Sequence, residues 1–181
     1  MDERSRIDEG MDSWARLVPD LDLETMRTGL LLARVTALGH KHVEAAFAAV
    51  GLSAGEFDVL ASLLHAPDRT SKPSVLARSG MLSPAGMTHR LDRLERAGFV
   101  ERRPDPNDRR SMLILLTEAG EAKAIEAARV HVTAEAELLG LLGASGQADL
   151  RRLLDTMLDT YAAVAARPPT ALARRAEQTQ S

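Results

Sequence analysis

The chain has 181 residues, enough for one or two domains, and 45% of them are hydrophobic, so a packed core is expected and disorder throughout is excluded. It contains no cysteine, which excludes disulfides, thiolate metal sites and cysteine redox switches. The net charge is −3, but residues 69–110 carry +5 and the remainder −8, an asymmetry that predicts contact between one module and a polyanion.

The sequence shows neither a targeting signal nor a membrane-spanning run. No apolar stretch reaches the ~18 residues that a membrane span needs. The N-terminal residues MDERSRIDEGMDSW are charged where a signal peptide would be apolar. We therefore expect a cytoplasmic protein with no membrane partner.

The N-terminal part is predicted to hold a polar extension and one long helix. Residues 1–20 are polar and mixed and form the extension. Apolar residues then recur at three- and four-residue steps, the spacing of one helical face, with Asp22 as the cap and Gly51 at the end. Segment 21–52 is therefore predicted to be a helix whose apolar face needs a large partner surface, such as a second chain.

Three further helices are predicted before the apolar period changes. Ser53 and Glu56 have the spacing of a capping box and open a helix that stops before Pro67. A short helix over roughly 74–79 and a turn at 80–82 follow.

The next helix begins at Ser83-Pro84, which pairs a cap with proline at the first helical position. It ends at Gly98. Its buried stripe is predicted to be Met87, Leu91 and Leu94.

A β-hairpin is predicted after Gly98. Residues 99–103 and 111–117 have the pattern of two strands, and a proline-rich turn at 104–108 joins them. Segment 53–116 therefore reads helix, turn, helix and hairpin. The predicted fold class is mainly α with a small β-hairpin wing (α+β), a winged helix-turn-helix.

The C-terminal part is predicted to be helical up to a polar tail. Segment 117–166 is rich in alanine and leucine, with an interruption at Gly143 and a new helix from Ser145. Its leucines exceed what one small winged domain can cover, which favours a dimer. Residues 167–181 are polar and are predicted to be disordered.

A winged helix-turn-helix places its second helix in the major groove of DNA. Arg90 is suited to reading guanine there, and Arg109 at the hairpin tip is suited to a narrow minor groove. The outward face of the helix is predicted to present Ser83, Ala85, Gly86, Thr88, His89, Arg90 and Arg93.

A plainer interpretation of the basic segment stays open at this point. Charges on a helix are usually a solvated face, and Arg93 and Arg96 can pair with Asp92 and Glu95 on the same helix. The hairpin with its Asp-Arg-Arg tip, placed after a capped helix, favours DNA over this alternative.

The stretch LSPAGMTHRLDRLERAGFVERRPDPNDRRSMLILLTEAGEA resembles the MarR family of winged-helix transcription regulators. The family pattern runs from a Ser-Pro-started recognition helix through Leu-Glu-x-x-Gly-x-Val-x-Arg to Asp-x-Arg-Arg and Leu-Thr-x-x-Gly. The matching positions here are Ser83, Pro84, Thr88, Arg90, Leu94, Glu95, Gly98, Val100, Arg102, Asp108, Arg109, Arg110, Leu116, Thr117 and Gly120. With the flanking helices, the resemblance covers roughly residues 21–165.

The resemblance implies a homodimer, joined by N- and C-terminal helices, that binds double-stranded DNA. Two recognition helices about one DNA turn apart, roughly 34 Å, would favour an inverted repeat. Asp108 and Arg110 would shape the wing, and Lys72 would contact a phosphate. The DNA-binding residues so predicted are Lys72, Ser83, Thr88, His89, Arg90, Arg93, Arg109 and Arg110.

MarR-like proteins commonly release DNA when a small organic anion or phenol binds. The stretch Trp14-Ala-Arg-Leu-Val-Pro-Asp-Leu-Asp, followed by Met26, is similar to the N-terminal extension of the urate-responsive branch. A flat purine anion could stack on an indole and pair with a guanidinium. The ligand-binding residues that this similarity implies are Trp14, Asp58, Arg90 and Arg102. Each also has a plain structural alternative, such as stapling the extension or bracing the wing.

No cofactor, metal or catalytic residue is predicted. The five histidines are scattered, with His40 and His42 pointing in different directions on a helix. No Gly-rich phosphate loop, nucleophile elbow or HExxH motif is present, which disfavours an enzyme. The alternative that stays open is an architectural DNA-binding or protein-interaction winged-helix module without a ligand response.

Overall fold

Helices dominate the part of the chain that the computed structural model describes, which is residues 3–79, 84–106 and 108–165. The helices are α1 Glu3–Leu17, α2 Leu23–Ala49, α3 Ala54–His65, α4 Pro73–Ser79, α5 Pro84–Arg96, α6 Glu118–Leu139 and α7 Gly143–Ala165. The strands are β1 Thr70–Ser71, β2 Val100–Asp105 and β3 Asp108–Leu116. The mainly α fold class with a β-hairpin wing is confirmed.

The chain divides into two compact units. The first, called the terminal unit below, comprises residues 1–38 and 139–181. The second, called the winged unit, comprises residues 39–138. The division falls inside α2 and near the end of α6, so the five sequence segments proposed above stay a prediction.

The N-terminal extension is a helix, which its mixed polar composition did not predict. In the terminal unit, ion pairs join α1 to α2 through Asp8 with Arg27 and Glu3 with Arg34. Met11 of α1 is buried. Ile7, Met11 and Trp14 recur at helical steps, a short apolar period that the many polar residues around it obscured.

The two ends of α2 follow the sequence expectation. The backbone N–H of Thr25 donates to Asp22 Oδ1 at 2.9 Å, the hydrogen bond of an N-cap. After the helix, Gly51 has φ +75°, a left-handed conformation that glycine adopts without strain. At the other end of the chain, α7 begins at Gly143, two residues before the predicted start.

The winged unit is built around one hydrophobic core. Its largest fully buried side chains come from α2, α3, α5 and β3, namely Phe47, Leu60, Leu63, Met87, Leu91, Leu94 and Ile114. Phe47 stacks on Phe57 with ring centroids 4.8 Å apart, and His131 of α6 lies 5.4 Å from Phe47. The predicted buried stripe of α5 is confirmed, since Met87, Leu91 and Leu94 are all buried in this core.

The capping box that opens α3 is confirmed. The Glu56 N–H donates to Ser53 Oγ, and the Ser53 N–H donates to Glu56 Oε2 at 2.8 Å. Gly98, with φ +75°, follows α5 as expected. The predicted turn at 80–82 and Ser83 lie outside the described residues.

The sheet has three strands in the order β1-β3-β2, where the sequence predicted a two-stranded hairpin. Thr70 pairs with Leu115 and Ser71 with Ile114. A two-residue strand has too few residues to show a period, so pairing with β3 alone defines it.

The predicted turn at 104–108 is wrong in extent. Strand β2 continues through Asp105 and β3 begins at Asp108, and these two residues pair across the hairpin. The register shifts between Pro104, which pairs with Met112, and Asp105. Strand β2 is at the edge of the sheet, a position that tolerates proline.

No single helix among the described residues combines the length and the apolar character of a membrane span. Helices α2 and α3, which are bent by 75° at the break between them, are long and apolar enough only when taken together.

Candidate nucleic-acid interface

Helix α5 presents a polar face opposite its buried stripe. Thr88 and His89, both predicted to face the major groove, are exposed. Ser83, predicted to start this surface, lies outside the described residues. The groove-facing role of these residues stays a prediction.

The Arg93 side chain of α5 is tied to α3. Its Nε donates to Glu56 Oε1 at 2.8 Å, and the Glu56 side chain is only 4% exposed while that of Arg93 is 51% exposed. A buried carboxylate requires such pairing, because removing its cationic partner typically costs about 3–5 kcal/mol of stability. Arg93 therefore makes an internal contact as well as facing solvent.

The Arg90 guanidinium lies against the first turn of α3. A Cβ added to Gly55 would stand 2.2 Å from Arg90 Cζ, so the guanidinium fills the space that a side chain at this position would take. Arg90 is half-buried. The role of Arg90 in reading a base stays a prediction.

Two carboxylates of α5 engage Arg102 at the start of the wing. Its Nη2 donates to Asp92 Oδ1 at 2.6 Å and its Nη1 pairs with Glu95 Oε2 at 3.1 Å. Arg102 thus braces β2 against α5. The alternative, in which Asp92 and Glu95 pair with Arg93 and Arg96 of the same helix, is wrong for the side chains, because both carboxylates pair with Arg102. The Arg96 Nε donates instead to the backbone carbonyl of Asp92.

Lys72 braces the wing from the other side. Its Nζ lies 2.8 Å from Asp105 Oδ2, and the Asp105 side chain is 4% exposed. The hydrogen bond and charge of Asp105, with a smaller contribution from the charge of Asp108, raise the pKa of Lys72 above its ordinary value. The lysine predicted to contact a phosphate is therefore half-exposed and internally paired.

The wing arginines lie on β3. The backbone of Arg109 and Arg110 belongs to this strand, directly after the hairpin tip. The structure does not describe their side chains, so the contact of Arg109 with the minor groove and the role of Arg110 in shaping the wing stay predictions.

The four residues predicted to bind a ligand divide between the two units. Trp14 belongs to the terminal unit and is 44% exposed. Asp58, Arg90 and Arg102 belong to the winged unit, and Asp58 is exposed. Among the described residues no hydrogen bond or ion pair joins Asp58 to Arg90; the ion pair between α3 and α5 is formed by Glu56 and Arg93 instead.

A mainly apolar groove of about 440 Å³ lies between α2 and α6 within the winged unit. His42 and Glu137 meet across it, with Nε2 and Oε2 3.0 Å apart. Arg129 and Thr133 supply further polar groups. None of the four predicted ligand residues lines this groove.

The described residues hold no group of three or more histidines, aspartates or glutamates arranged to bind a metal ion. The functional contacts that sequence reasoning missed are those of Gly55, Glu56 and Asp105. The capping box pointed to Glu56, but its second partner on α5 is distant in sequence and carries no local signal.

The sequence profile of the MarR family matches residues 52–112, which cover most of the predicted winged segment 53–116. Among curated proteins, the chain is 37% identical over 150 residues to the HTH-type transcriptional regulator PecS of Dickeya dadantii, covering 82% of this chain and 90% of PecS. It is 36% identical over 129 residues to the HTH-type transcriptional repressor Rv2887 of Mycobacterium tuberculosis, covering 71% of this chain and 91% of the relative.

Solved structures agree with these sequence similarities. Wild-type MarR of Escherichia coli in its apo form matches with a TM-score of 0.65 and 30% identity, covering 72% of this chain and 95% of MarR. The complex of Rv2887 with DNA matches with a TM-score of 0.60 and 33% identity, covering 71% and 95%. The chain therefore belongs to the MarR family of winged-helix proteins, which are DNA-binding transcriptional regulators and not enzymes.

Proposed function

We propose that this protein is a homodimeric transcriptional repressor that binds an inverted repeat in double-stranded DNA. The observation that carries the proposal is α5, a helix with an exposed polar face that ion pairs brace to a wing through Arg102. The proposal is supported by relatives that are named as repressors, one of which, Rv2887, has a crystal structure in complex with DNA. A protein with this role acts where the DNA is, which agrees with the cytoplasmic expectation.

Exposed apolar side chains in the terminal unit support the homodimer. On α2 they include Leu30, Leu31, Leu32, Val35 and Leu38, and on α7 Leu153, Leu154, Met157, Leu158 and Tyr161. Large exposed apolar patches mark interaction surfaces. Light scattering at micromolar concentration should give a dimer mass, and a monomer mass would contradict this part of the proposal.

The DNA-binding proposal is tested with duplexes that the purified protein selects from a random pool. Arg109→Ala should weaken binding to the selected duplex by ~1–3 kcal/mol if the wing reads a specific minor groove. Arg151→Ala, which removes an exposed arginine from α7 in the terminal unit, is the matched control and should leave the affinity unchanged.

Two outcomes would favour the alternative functions. Tight binding without sequence preference, falling steeply between two salt concentrations, would indicate an architectural DNA-binding protein. No DNA binding by the dimer would indicate a winged helix used for protein interaction.

We further propose that a small organic anion releases the protein from DNA, with urate or a related purine as the first candidate and a phenolic compound as the second. The similarity of the segment around Trp14 to the urate-responsive branch supports the purine, and the exposed indole is available for stacking. Against this, Arg102 already has two carboxylate partners, which an incoming anion would have to displace.

Calorimetry with urate and xanthine, followed by release of the selected duplex, tests the ligand. Trp14→Leu keeps an apolar side chain but removes the stacking surface, so it should weaken purine binding. No heat and no release with either purine would remove the purine proposal.

The groove between α2 and α6 is a second candidate position for the anion. It combines apolar walls with the Arg129 guanidinium, a pattern that suits an aromatic or aliphatic carboxylate. If salicylate releases DNA and Arg129→Gln suppresses the release while Trp14→Leu does not, the groove is the ligand site.

A further inference from the structure

The first turn of α3 contacts α5 at two consecutive residues. Gly55 lies under the Arg90 guanidinium, and Glu56 pairs with Arg93. The two arginines are three residues apart on α5, so they lie on one side of that helix. One turn of α3 therefore engages one face of α5.

The Glu56 carboxylate uses its two oxygens for two different helices. Oε2 accepts from the Ser53 backbone N–H at 2.8 Å and from Ser53 Oγ at 2.9 Å, which caps α3. Oε1 accepts from Arg93 Nε at 2.8 Å, which joins α3 to α5. Because the Glu56 carboxylate is buried, losing either partner would leave a buried charge less well compensated.

The same turn of α3 is also connected to α2. The Ala54 backbone N–H lies 3.2 Å from both carboxylate oxygens of Glu44. The first turn of α3 is thus held on one side by α2 and contacts α5 on the other. A change in this turn would move α5 relative to the rest of the winged unit.

We propose that Glu56, with Gly55 beside it, sets the orientation of α5 and is a positioning residue for sequence-specific DNA binding. Glu56 need not touch DNA, since it acts through Arg93. This inference rests on the proposed function, in which α5 reads the operator.

The substitution Glu56→Gln separates the two roles of the carboxylate. Glutamine also completes a capping box, so its carbonyl oxygen can still accept from Ser53. The amide nitrogen that then faces Arg93 is a donor and cannot accept from Nε. The variant should fold, as checked by circular dichroism and thermal unfolding, while the contact with α5 is lost.

Charge effects and positioning predict opposite changes in affinity. Removing a negative charge from the winged unit should strengthen binding to every duplex if only electrostatics matters. If Glu56 positions α5, Glu56→Gln should instead weaken binding to the selected duplex about 10-fold, with binding to a scrambled duplex unchanged or slightly stronger. Glu101→Gln removes the same charge from an exposed site on β2, where its partner is Arg103, and is the matched control.

A second variant keeps the test decisive if Glu56→Gln does not fold. Arg93→Gln alters the half-exposed partner and should reproduce the loss of preference for the selected duplex. Where Glu56→Gln does fold, the double variant should bind the selected duplex no more weakly than the single variant with the lower affinity, because both changes remove the same contact. A salt slope lower by about 1 with the preference intact would instead assign Arg93 to a phosphate and overturn the proposal.

The possible failures are distinguishable. If the unaltered protein prefers no sequence, the proposed function fails and this inference fails with it. If it prefers the selected duplex but Glu56→Gln strengthens all binding as Glu101→Gln does, the inference alone fails.

Discussion

The terminal unit and the winged unit differ in where they place their apolar side chains. In the winged unit they form a continuous core that includes Phe47, Leu60, Met87 and Ile114. Among the described residues of the terminal unit, Met11 is the one large hydrophobic side chain that is buried, and many others are exposed. The winged unit thus buries a core of its own, whereas the exposed apolar side chains of the terminal unit are those on which the proposed dimer rests.

The two units also differ in how far their paired charged side chains are buried. In the winged unit, the buried carboxylates Glu56 and Asp105 each have a cationic partner from a distant part of the sequence. In the terminal unit, the ion pairs of Arg27 and Arg34 join partly exposed groups, whose contribution to stability is small. We infer that ionic contacts orient parts of the winged unit, while apolar association organises the terminal unit.

The largest expected effect follows from a charge on the apolar face of α7. Leu158→Asp should dissociate the proposed dimer and weaken binding to an inverted repeat by ~100-fold or more, since the two half-sites would no longer be bound together. Leu158 is 71% exposed in the described chain. Sedimentation and DNA titration measure both effects, and Thr156→Asp on the polar side of α7 is the control. A stable dimer of the Leu158→Asp variant would contradict the inference that apolar association organises the terminal unit.

The next effect concerns the contact between Lys72 and Asp105. Lys72→Met keeps the length of the side chain but removes the ion pair with the buried Asp105 carboxylate. The wing should then be less well oriented, and affinity should fall about 10-fold, comparable to the effect of one mismatched base pair. The salt slope decides the role of Lys72. An unchanged slope indicates a brace, whereas a decrease of about 1 indicates the phosphate contact that the sequence predicted.

The pH dependence of stability provides an independent check on the same pair. The pKa of Lys72 is raised in the folded state, mainly by the hydrogen bond to Asp105. Its contribution to the free energy of unfolding is therefore complete below the ordinary lysine pKa and is lost as the pH rises through the raised value. The stability difference between the unaltered protein and Lys72→Met should accordingly persist at neutral pH and shrink at strongly alkaline pH.

A smaller effect is expected at Gly55. Gly55→Ala favours the helix by up to ~1 kcal/mol, so stability should be maintained or raised. The added methyl group displaces the Arg90 guanidinium, and specific DNA affinity should fall by roughly 3- to 5-fold if this contact helps to orient α5. A rise in affinity would mean that Arg90 reads DNA once it leaves Gly55. Gly29→Ala, at a helical position with open space around it, is the control.

The smallest effect is expected at the start of α2. Hydrogen bonds from the Thr25 backbone and side chain lower the pKa of Asp22. Its stabilising contribution is present above the ordinary aspartate pKa and is lost as the pH falls through the lowered value. Asp22→Ala should lower the melting temperature by a few degrees at neutral pH, with a smaller difference in acid. Asp22→Asn also caps but does not titrate, so its melting temperature relative to Asp22→Ala should not change with pH.

Local signals in the chain predicted the elements whose stability is local. The capping box of Ser53 and Glu56, the apolar stripe of α5 and the glycine after that helix all act over a few residues, and each is present. The short strand β1 and helix α1 were not predicted. The first depends on pairing with β3, and the second contacts residues of α2 that are 19 and 31 positions away.

The candidate site was predicted as a set of residues but not as a set of contacts. Arginines on α5 and on the wing follow from charge and spacing, whereas their partners do not. Arg93 pairs with Glu56, and Arg102 with Asp92 and Glu95, across elements that only the folded chain brings together. A guanidinium can pair with any nearby carboxylate, so composition alone leaves the choice open.

The amino-acid sequence by itself determined the order of the helices from α2 onward, the wing and the likeness to the MarR family. Helical periods, caps and turns depend on residues that are close together in the chain. Only the tertiary structure decided which charged groups are buried and paired, and which apolar faces stay exposed. Burial changes the cost of a charge by several kcal/mol and depends on residues distant in the chain. For that reason the orienting role proposed for Glu56 emerges from the fold and not from the motif that contains it.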